Sequence, residues 1–376
     1  MKIIIAAGGS GGHIFPAVVL ASELRKKGVE DILLVSSRRD LDKNILKEYG
    51  FPSFFLSINP MPLGFYPLRI LVFAMKFMLD IAVSFFIILR QRPDAVVGFG
   101  GYSSGAAAVA GKVLGIPVII HEQNLSPGRA NRILGRIADV IAVSFEGSKE
   151  YFKGRPGRVR CTGNPLRVDM LINDRGSAAA ELGMDPCKFT VLVMGGSQGS
   201  SFLNKAASEA ALCVKRAAGE GVQFLHLTGK KDHDRIKEFY RSNDVEGKVF
   251  SFMERIDRAY SVSDLAISRS GAASVFELAY YGKPMILVPY PHPKNNQRSN
   301  AAVFFGAGAA VYREEPDITG ESLGEDILGL LRDKEKLRVM ALSAARLARP
   351  SAGPDLADAV IGEAEKKREK RKMRNK

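Results

Sequence analysis

Twice in this chain a short β-rich run opens straight onto a glycine-rich loop and then a helical stretch. The first loop is Gly8-Gly9-Ser10-Gly11-Gly12-His13 and the second is Gly195-Gly196-Ser197-Gln198-Gly199-Ser200. Glycine density lets the backbone approach a phosphate group, and the helix that follows offers unpaired N–H groups and a positive dipole end. One loop of this kind in each half implies two phosphorylated substrates, or one ligand shared by two domains. A simple dehydrogenase needs only one.

The runs around the loops alternate in the same sense. In the first half, strands are expected over 2–7, 31–35, 95–99, 118–121 and 140–143, with helical material between them, including a helix over 16–27. In the second half the pattern restarts, with strands over 190–194, 223–227, 249–252, 265–268 and 285–288. Strand–helix alternation predicts an α/β protein of two Rossmann-like, doubly wound parallel-sheet domains. The length of 376 residues suits two cores better than one. Gly163-Asn164-Pro165 reads as a turn and sets the expected domains at 1–164 and 165–345. A last helix, about 346–364, could pack back on the first domain. Residues 365–376 form a basic tail, read as solvated and weakly drawn to anionic lipid.

The formal charge of +14 points to a polyanionic partner: nucleic acid, an anionic membrane or a phosphorylated substrate. No RNA-binding aromatic signature and no zinc-finger spacing occur, so nucleic acid is not expected. Cys161, Cys187 and Cys213 form no CxxC pair and fit a reducing cytosol. The apolar run at 2–7 is too short for a signal peptide. Residues 70–89 are almost wholly apolar and about long enough to span a bilayer. Lys76, Asp80 and Ser84 interrupt them at helical spacing, and a charge at the bilayer centre costs roughly 2.5–3.5 kcal/mol. The expectation is a helix on a sheet with apolar surface to spare. Phe73, Phe77 and Phe85 are the candidates for dipping into a membrane, with Arg69, Lys76 and Arg90 meeting headgroups.

Three further stretches follow strands. Ser268-Arg269-Ser270-Gly271-Ala272-Ala273-Ser274-Val275-Phe276-Glu277 combines small residues at a helix start with a carboxylate that suits a vicinal diol. Pro289-Tyr290-Pro291-His292, with Asn295-Asn296-Gln297, carries amides that suit sugar hydroxyls. His121-Glu122-Gln123-Asn124 clusters polar groups at a strand end, where open α/β sheets bind ligands. No HxxxH, HExxH or strand-end Asp-x-Asp occurs, so neither a metal nor another cofactor is expected, and a departing diphosphate would rely on backbone N–H groups.

Taken in this order, the motifs resemble the MurG family, the transferases that add N-acetylglucosamine to lipid I in bacterial peptidoglycan synthesis. The resemblance rests on 8–17, with Ser10 where threonine is commoner, on 121–124, on Gly163-Asn164-Pro165-Leu166-Arg167, on 195–199 and on 268–277, and it spans residues 1–364. It implies a GT-B fold whose two domains face a cleft, with UDP-GlcNAc on the C-terminal domain and lipid I on the N-terminal one. It implies inversion of the α-linked donor to a β-1,4 linkage on the MurNAc 4-hydroxyl, giving lipid II. By the same resemblance Ser197 meets the diphosphate, and Arg167 and Asn124 line the donor site. Met253 reads uracil, Ala272, Ala273, Ser274, Val275 and Phe276 lie near the nucleotide, Glu277 holds the ribose diol and Gln297 the GlcNAc hydroxyls. Gly9, Ser10, Gly11 and Gly12 form the acceptor diphosphate loop, the last three also counted with the donor. The family often has an acidic residue followed by His-Gln or Gln-Gln where this chain has Asn295-Asn296-Gln297, which leaves Asn296 without an implied role. A peripheral place on the cytoplasmic face of the cell membrane, with cell-wall synthesis or division proteins as partners, belongs to the same implication.

An attacking hydroxyl must lose a proton, and a neutral base serves. His13, at the mouth of the first loop, is the first candidate and Glu122 the second. Two other readings compete. An NADP-dependent oxidoreductase would use the first loop with Ser36-Ser37-Arg38-Arg39, although Ile14 stands where the dinucleotide fingerprint has its third glycine. A UDP-sugar epimerase of the same fold would act without an acceptor.

Overall fold

Each central apolar run becomes a strand buried on both faces, as a parallel sheet covered by helices requires. The computed structural model describes residues 1–57, 67–154, 156–167, 170, 174–196, 198–292 and 296–374. The chain forms two units, residues 1–168 with 349–376, and residues 169–348.

In unit 1 the strands are β1 (Lys2–Ala6), β2 (Asp31–Ser37), β3 (Ser53–Leu56), β4 (Ala95–Gly98), β5 (Val118–Glu122), β6 (Val140–Val143) and β7 (Val159–Cys161). They pair in parallel in the order β3-β2-β1-β4-β5-β6-β7. In unit 2, β8 (Phe189–Met194), β9 (Val222–Leu227), β10 (Gly247–Phe250), β11 (Leu265–Ser268), β12 (Met285–Leu287) and β13 (Ala310–Tyr312) pair in parallel in the order β10-β9-β8-β11-β12-β13. In both sheets the order reverses beside the first strand. The glycine loops after β1 and β8 therefore open at the switch points, where such sheets bind ligands.

The helices of unit 1 are α1 (Gly11–Lys26), α2 (Asp40–Glu48), α3 (Pro67–Gln91), α4 (Gly101–Val113) and α5 (Arg129–Leu134). Those of unit 2 are α6 (Arg175–Leu182), α7 (Ser201–Ala218), α8 (His233–Ser242), α9 (Ile256–Val262), α10 (Ala272–Tyr280), α11 (Gln297–Gly306), α12 (Gly320–Arg332) and α13 (Lys334–Leu347). The final helix, α14 (Ala352–Arg374), buries Leu356, Ala357, Val360 and Ala364 in the core of unit 1, beside β1 and α1.

Four differences from the sequence reading have local causes. Strands β3, β7 and β13 went unread because they are short edge strands of 4, 3 and 3 residues. Helix α1 begins at Gly11 rather than Pro16, which puts His13 in its first turn, because glycines lower helix propensity without preventing a helix that the fold packs. The basic tail is solvated but helical: α14 runs unbroken to Arg374, and residues 365–373 are mostly exposed. Finally, Phe73, Phe77 and Phe85 do not face outward. Phe77 and Phe85 pack against the core beneath α3, and the Phe73 ring stands edge-on to Tyr102 at 5.0 Å.

Helix α3 is turned so that its polar stripe faces in. Asp80 and Ser84 are each 2% exposed, and Asp80 Oδ1 accepts the Ser57 N–H at 3.0 Å. That bond fixes the rotation of the helix. Its outward face carries Leu71, Met75, Met78, Leu79, Phe86 and Leu89, exposed by 57%, 59%, 64%, 64%, 64% and 51%. By length and composition α3 could cross a bilayer, and one face of it is committed to unit 1.

Candidate active site

In unit 1, β1 delivers the chain to Gly8, and α1 starts three residues later. A buried carboxylate holds the loop between them. Asp42 Oδ2 accepts the Gly9 N–H at 3.0 Å, the Ser36 hydroxyl at 3.2 Å and the Ser37 hydroxyl at 2.5 Å. Arg39 donates to the Gly9 carbonyl at 2.9 Å. His13 sits over this loop, its Nδ1 3.1 Å from the Gly8 carbonyl oxygen. A carbonyl only accepts, so Nδ1 carries the proton and Nε2 of the neutral ring keeps its lone pair. Gly100, at φ 94°, backs the ring from the end of β4: a Cβ there would lie 3.2 Å from His13 Nε2. The positive φ favours glycine there, and a side chain would press the ring by a few tenths of an ångström.

Behind His13, the end of β5 is a closed hydrogen-bond network. His121 is fully buried, its Nε2 donating to the Gly163 carbonyl at 3.0 Å and its Nδ1 accepting from Gln123 Nε2 at 3.3 Å. Burial pulls its pKa down to about 4, so it is neutral at pH 7. Glu122 Oε1 accepts from the Asn124 N–H at 2.9 Å and from Asn124 Nδ2 at 3.1 Å. Its Oε2 accepts from the Gly128 N–H at 3.1 Å and from Asn131 Nδ2 at 2.8 Å.

In unit 2, the loop after β8 folds tightly against the end of β9. A Cβ on Gly199, whose φ is 75°, would fall 1.9 Å from the Thr228 carbonyl oxygen. Ser200 caps α7 by accepting the Leu203 N–H at 3.3 Å. The buried Arg269, at the end of β11, donates to Ser200 Oγ at 2.7 Å and to the Val288 and Pro289 carbonyls at 3.1 Å each, and pairs with Glu315. One guanidinium thus ties three strand-end loops around a depression of about 490 Å³, lined by Gly195, Ser200, Arg269, Tyr290, Gln297 and Glu315 among others. Glu277, buried in α10, accepts the Tyr260 hydroxyl at 2.7 Å. Gln297, the first residue of α11, accepts the Tyr290 N–H through Oε1 at 2.9 Å.

The glycosyltransferase family 28 N-terminal domain matches residues 3–143, and the glycosyltransferase family 28 C-terminal domain matches residues 190–353. A UDP-N-acetylglucosamine--N-acetylmuramyl-(pentapeptide) pyrophosphoryl-undecaprenol N-acetylglucosamine transferase of Myxococcus xanthus is 34% identical over 364 residues, covering 96% of this chain and 92% of that protein. The crystal structure of Acinetobacter baumannii MurG superposes with a TM-score of 0.75 at 26% identity, covering 96% of this chain and 99% of that one. The chain belongs to the MurG family. The UDP-GlcNAc 2-epimerase of Neisseria meningitidis, solved bound to UDP-GlcNAc, superposes with a TM-score of 0.66 at 16% identity over 96% of this chain and 100% of that one, a likeness of fold alone.

Set against this MurG-family membership, the expected site residues are spread over both units. Gly9, Ser10, Gly11, Gly12 and His13 stand together at the first switch point, and Arg167 lies with its guanidinium carbon 4.1 Å above the Phe15 ring of α1. Ala272, Ala273 and Ser274 form the first turn of α10, whereas Val275 and Phe276 are core, Phe276 standing edge-on to Phe304 at 5.9 Å. Met253 lies half-buried in the loop after β10. Glu122 and Asn124 are bound to one another, and the Glu122 carboxylate already accepts four hydrogen bonds, so its geometry is that of a loop tie rather than a base. Ser197 and Asn295 lie outside the described residues. Among the described residues, no three His, Cys, Asp or Glu side chains converge to hold a metal ion.

Asp42, Arg269 and Glu315 were not singled out from sequence. Asp42 lies in an ordinary charged helix start, and only the fold brings it beneath the loop. Arg269 did leave a signal: one arginine between serines at the end of an apolar strand, a place where a charge must find partners.

Proposed function

We propose that this chain transfers N-acetylglucosamine from UDP-N-acetylglucosamine to the MurNAc 4-hydroxyl of lipid I, with inversion, giving lipid II for peptidoglycan synthesis. The observation that carries this reading is the near full-length kinship with transferases of that name, 34% identical over 96% of the chain. The site chemistry agrees with it. The Nε2 lone pair of His13 is the proton acceptor for the attacking hydroxyl, and the Gly8 carbonyl keeps the ring in that tautomer. The Gly9–Gly12 loop receives the acceptor diphosphate.

Unit 2 takes the donor. The departing UDP is stabilised by the N–H groups of the Gly195–Ser200 loop and the start of α7, with no metal required. Glu277 holds the ribose diol, Gln297 the GlcNAc hydroxyls, and the backbone at Met253 reads uracil. The acceptor's lipid stays in the bilayer, so the protein docks on the cytoplasmic face of the membrane. It does so through the outward face of α3, with the exposed Arg69 and Arg90 and the half-buried Lys76 at headgroup level.

Incubation with UDP-GlcNAc and a lipid I analogue tests the reading. UDP should be released only when the acceptor is present. Conversion of UDP-GlcNAc to UDP-ManNAc without acceptor would make the chain an epimerase instead, and a redox change in NADPH would make it an oxidoreductase.

A further inference from the structure

Among the described residues of unit 2, three phenylalanines and tyrosines are exposed: Phe252 by 50%, Tyr290 by 49% and Phe305 by 57%. Of these, Tyr290 alone lines the depression of about 490 Å³ beside the second glycine loop. The other aromatic there, Phe202, packs back on the core of the unit. An aromatic face left open in an otherwise polar depression is a surface for a ligand to cover.

The ring is exposed but fixed. The Tyr290 N–H donates to Gln297 Oε1 at 2.9 Å, and the carbonyl of the preceding Pro289 accepts from Arg269 at 3.1 Å. The Arg269 guanidinium carbon stands 5.6 Å from the ring centroid, within cation–π range. The His292 ring lies 6.3 Å away and nearly parallel, at 12°. Gln297 is held in turn, its carbonyl accepting the Ser270 hydroxyl at 2.8 Å. The Tyr290 hydroxyl makes no hydrogen bond among the described residues. A ring set in advance, its hydroxyl and a neighbouring amide thus share one wall of the depression.

Resting on the donor reading above, we infer that Tyr290 is the stacking platform for the hexosamine ring of the sugar nucleotide. A pyranose carries hydroxyls around its rim and C–H bonds on its faces. Those hydrogens are weakly positive, and the face of an aromatic ring is weakly negative. The hydroxyls meet Gln297, and a C–H face meets Tyr290. A diphosphate has no apolar face to offer the ring, and uracil is assigned to the loop after β10. Tyr290 therefore favours the nucleotide that still bears its sugar over the UDP left after transfer, which helps a fresh donor to replace the product.

Calorimetric titration of the full chain with UDP-GlcNAc and, separately, with UDP tests the platform without any acceptor. Tyr290→Ala should bind UDP-GlcNAc about ten-fold more weakly and UDP within about two-fold of the parent. Tyr290→Phe keeps the face and loses only the hydroxyl, so its UDP-GlcNAc affinity should stay within about three-fold of the parent. The exposed position lets both variants fold, which their thermal midpoints check. Equal weakening of UDP and UDP-GlcNAc in Tyr290→Ala would mean that the ring serves the nucleotide or merely supports Arg269, and would overturn the sugar platform while the donor site stands. Unchanged affinity for both ligands would overturn it equally. A parent that binds neither ligand would overturn the donor reading itself, and the platform with it.

Discussion

His13 and Asp42 divide the work of the first loop. His13 presents a lone pair, and Asp42 sets the loop that holds the histidine. If His13 Nε2 takes the proton, His13→Ala lowers kcat by about 10²–10⁴-fold and leaves UDP-GlcNAc affinity near that of the parent, since a base acts on the attacking hydroxyl and not on the bound nucleotide. Unchanged turnover would remove it from the role. Asp42→Asn replaces the charged oxygen that accepts three hydrogen bonds with a neutral amide oxygen, a weaker acceptor. It should lower the stability of unit 1 by about 1–3 kcal/mol in urea titration, with a wild-type midpoint counting against the clamp. A third prediction concerns His226, buried in unit 2 with its pKa drawn down to about 3 by desolvation. The unfolded state binds a proton below the ordinary value of about 6.5 and the folded state does not, so the contribution is intact above that value and is lost as pH falls towards 3. At pH 4.5 the loss is roughly 2.5 kcal/mol. Comparison of urea midpoints from pH 7 to 4.5 should show a shallower slope for His226→Asn than for the parent. Equal slopes would mean that His226 takes up its proton in the native state as well.

At the scale of the element, α3 is the clearest case of what a sequence holds and what it withholds. Its length and its Lys76, Asp80, Ser84 stripe are legible in the sequence. Its rotation is not, because the helix is apolar nearly all round and periodicity gives no preferred face. The deciding interaction is between Asp80 and the Ser57 N–H, from another part of the chain. Substituting the outward residues Met78, Leu79 or Phe86 with glutamine should reduce vesicle binding and change stability by under about 0.5 kcal/mol. Phe77→Ala should instead destabilise by about 1–3 kcal/mol, less than a fully buried aromatic because Phe77 is only half-buried against the core. A reversed pattern would mean that the outward face is covered by protein. The same division explains the other elements. The central strands were legible as continuous apolar runs, whereas the edge strands β3, β7 and β13 were too short to show a pattern. The start of α1 was hidden by the glycines that serve the site.

At the scale of the whole molecule, the two glycine loops did most to fix the architecture, because each marks the switch point of one parallel sheet. The donor-side motifs were legible as stretches, but their internal ties were not. The partners of Arg269 lie at 200, 288, 289 and 315, positions that only the fold gathers. The return of α14 to unit 1 likewise depends on Leu356, Ala357 and Val360 finding the β1–α1 core. The proposed reaction carries a sugar from a soluble nucleotide to a lipid. Its most direct test is to supply UDP-GlcNAc labelled in the sugar together with a lipid I analogue, and to extract into butanol. Label should enter the lipid phase in step with UDP release, with one β-linked GlcNAc per acceptor. Label remaining in the aqueous phase, in the presence of an acceptor that a known MurG glycosylates, would contradict it.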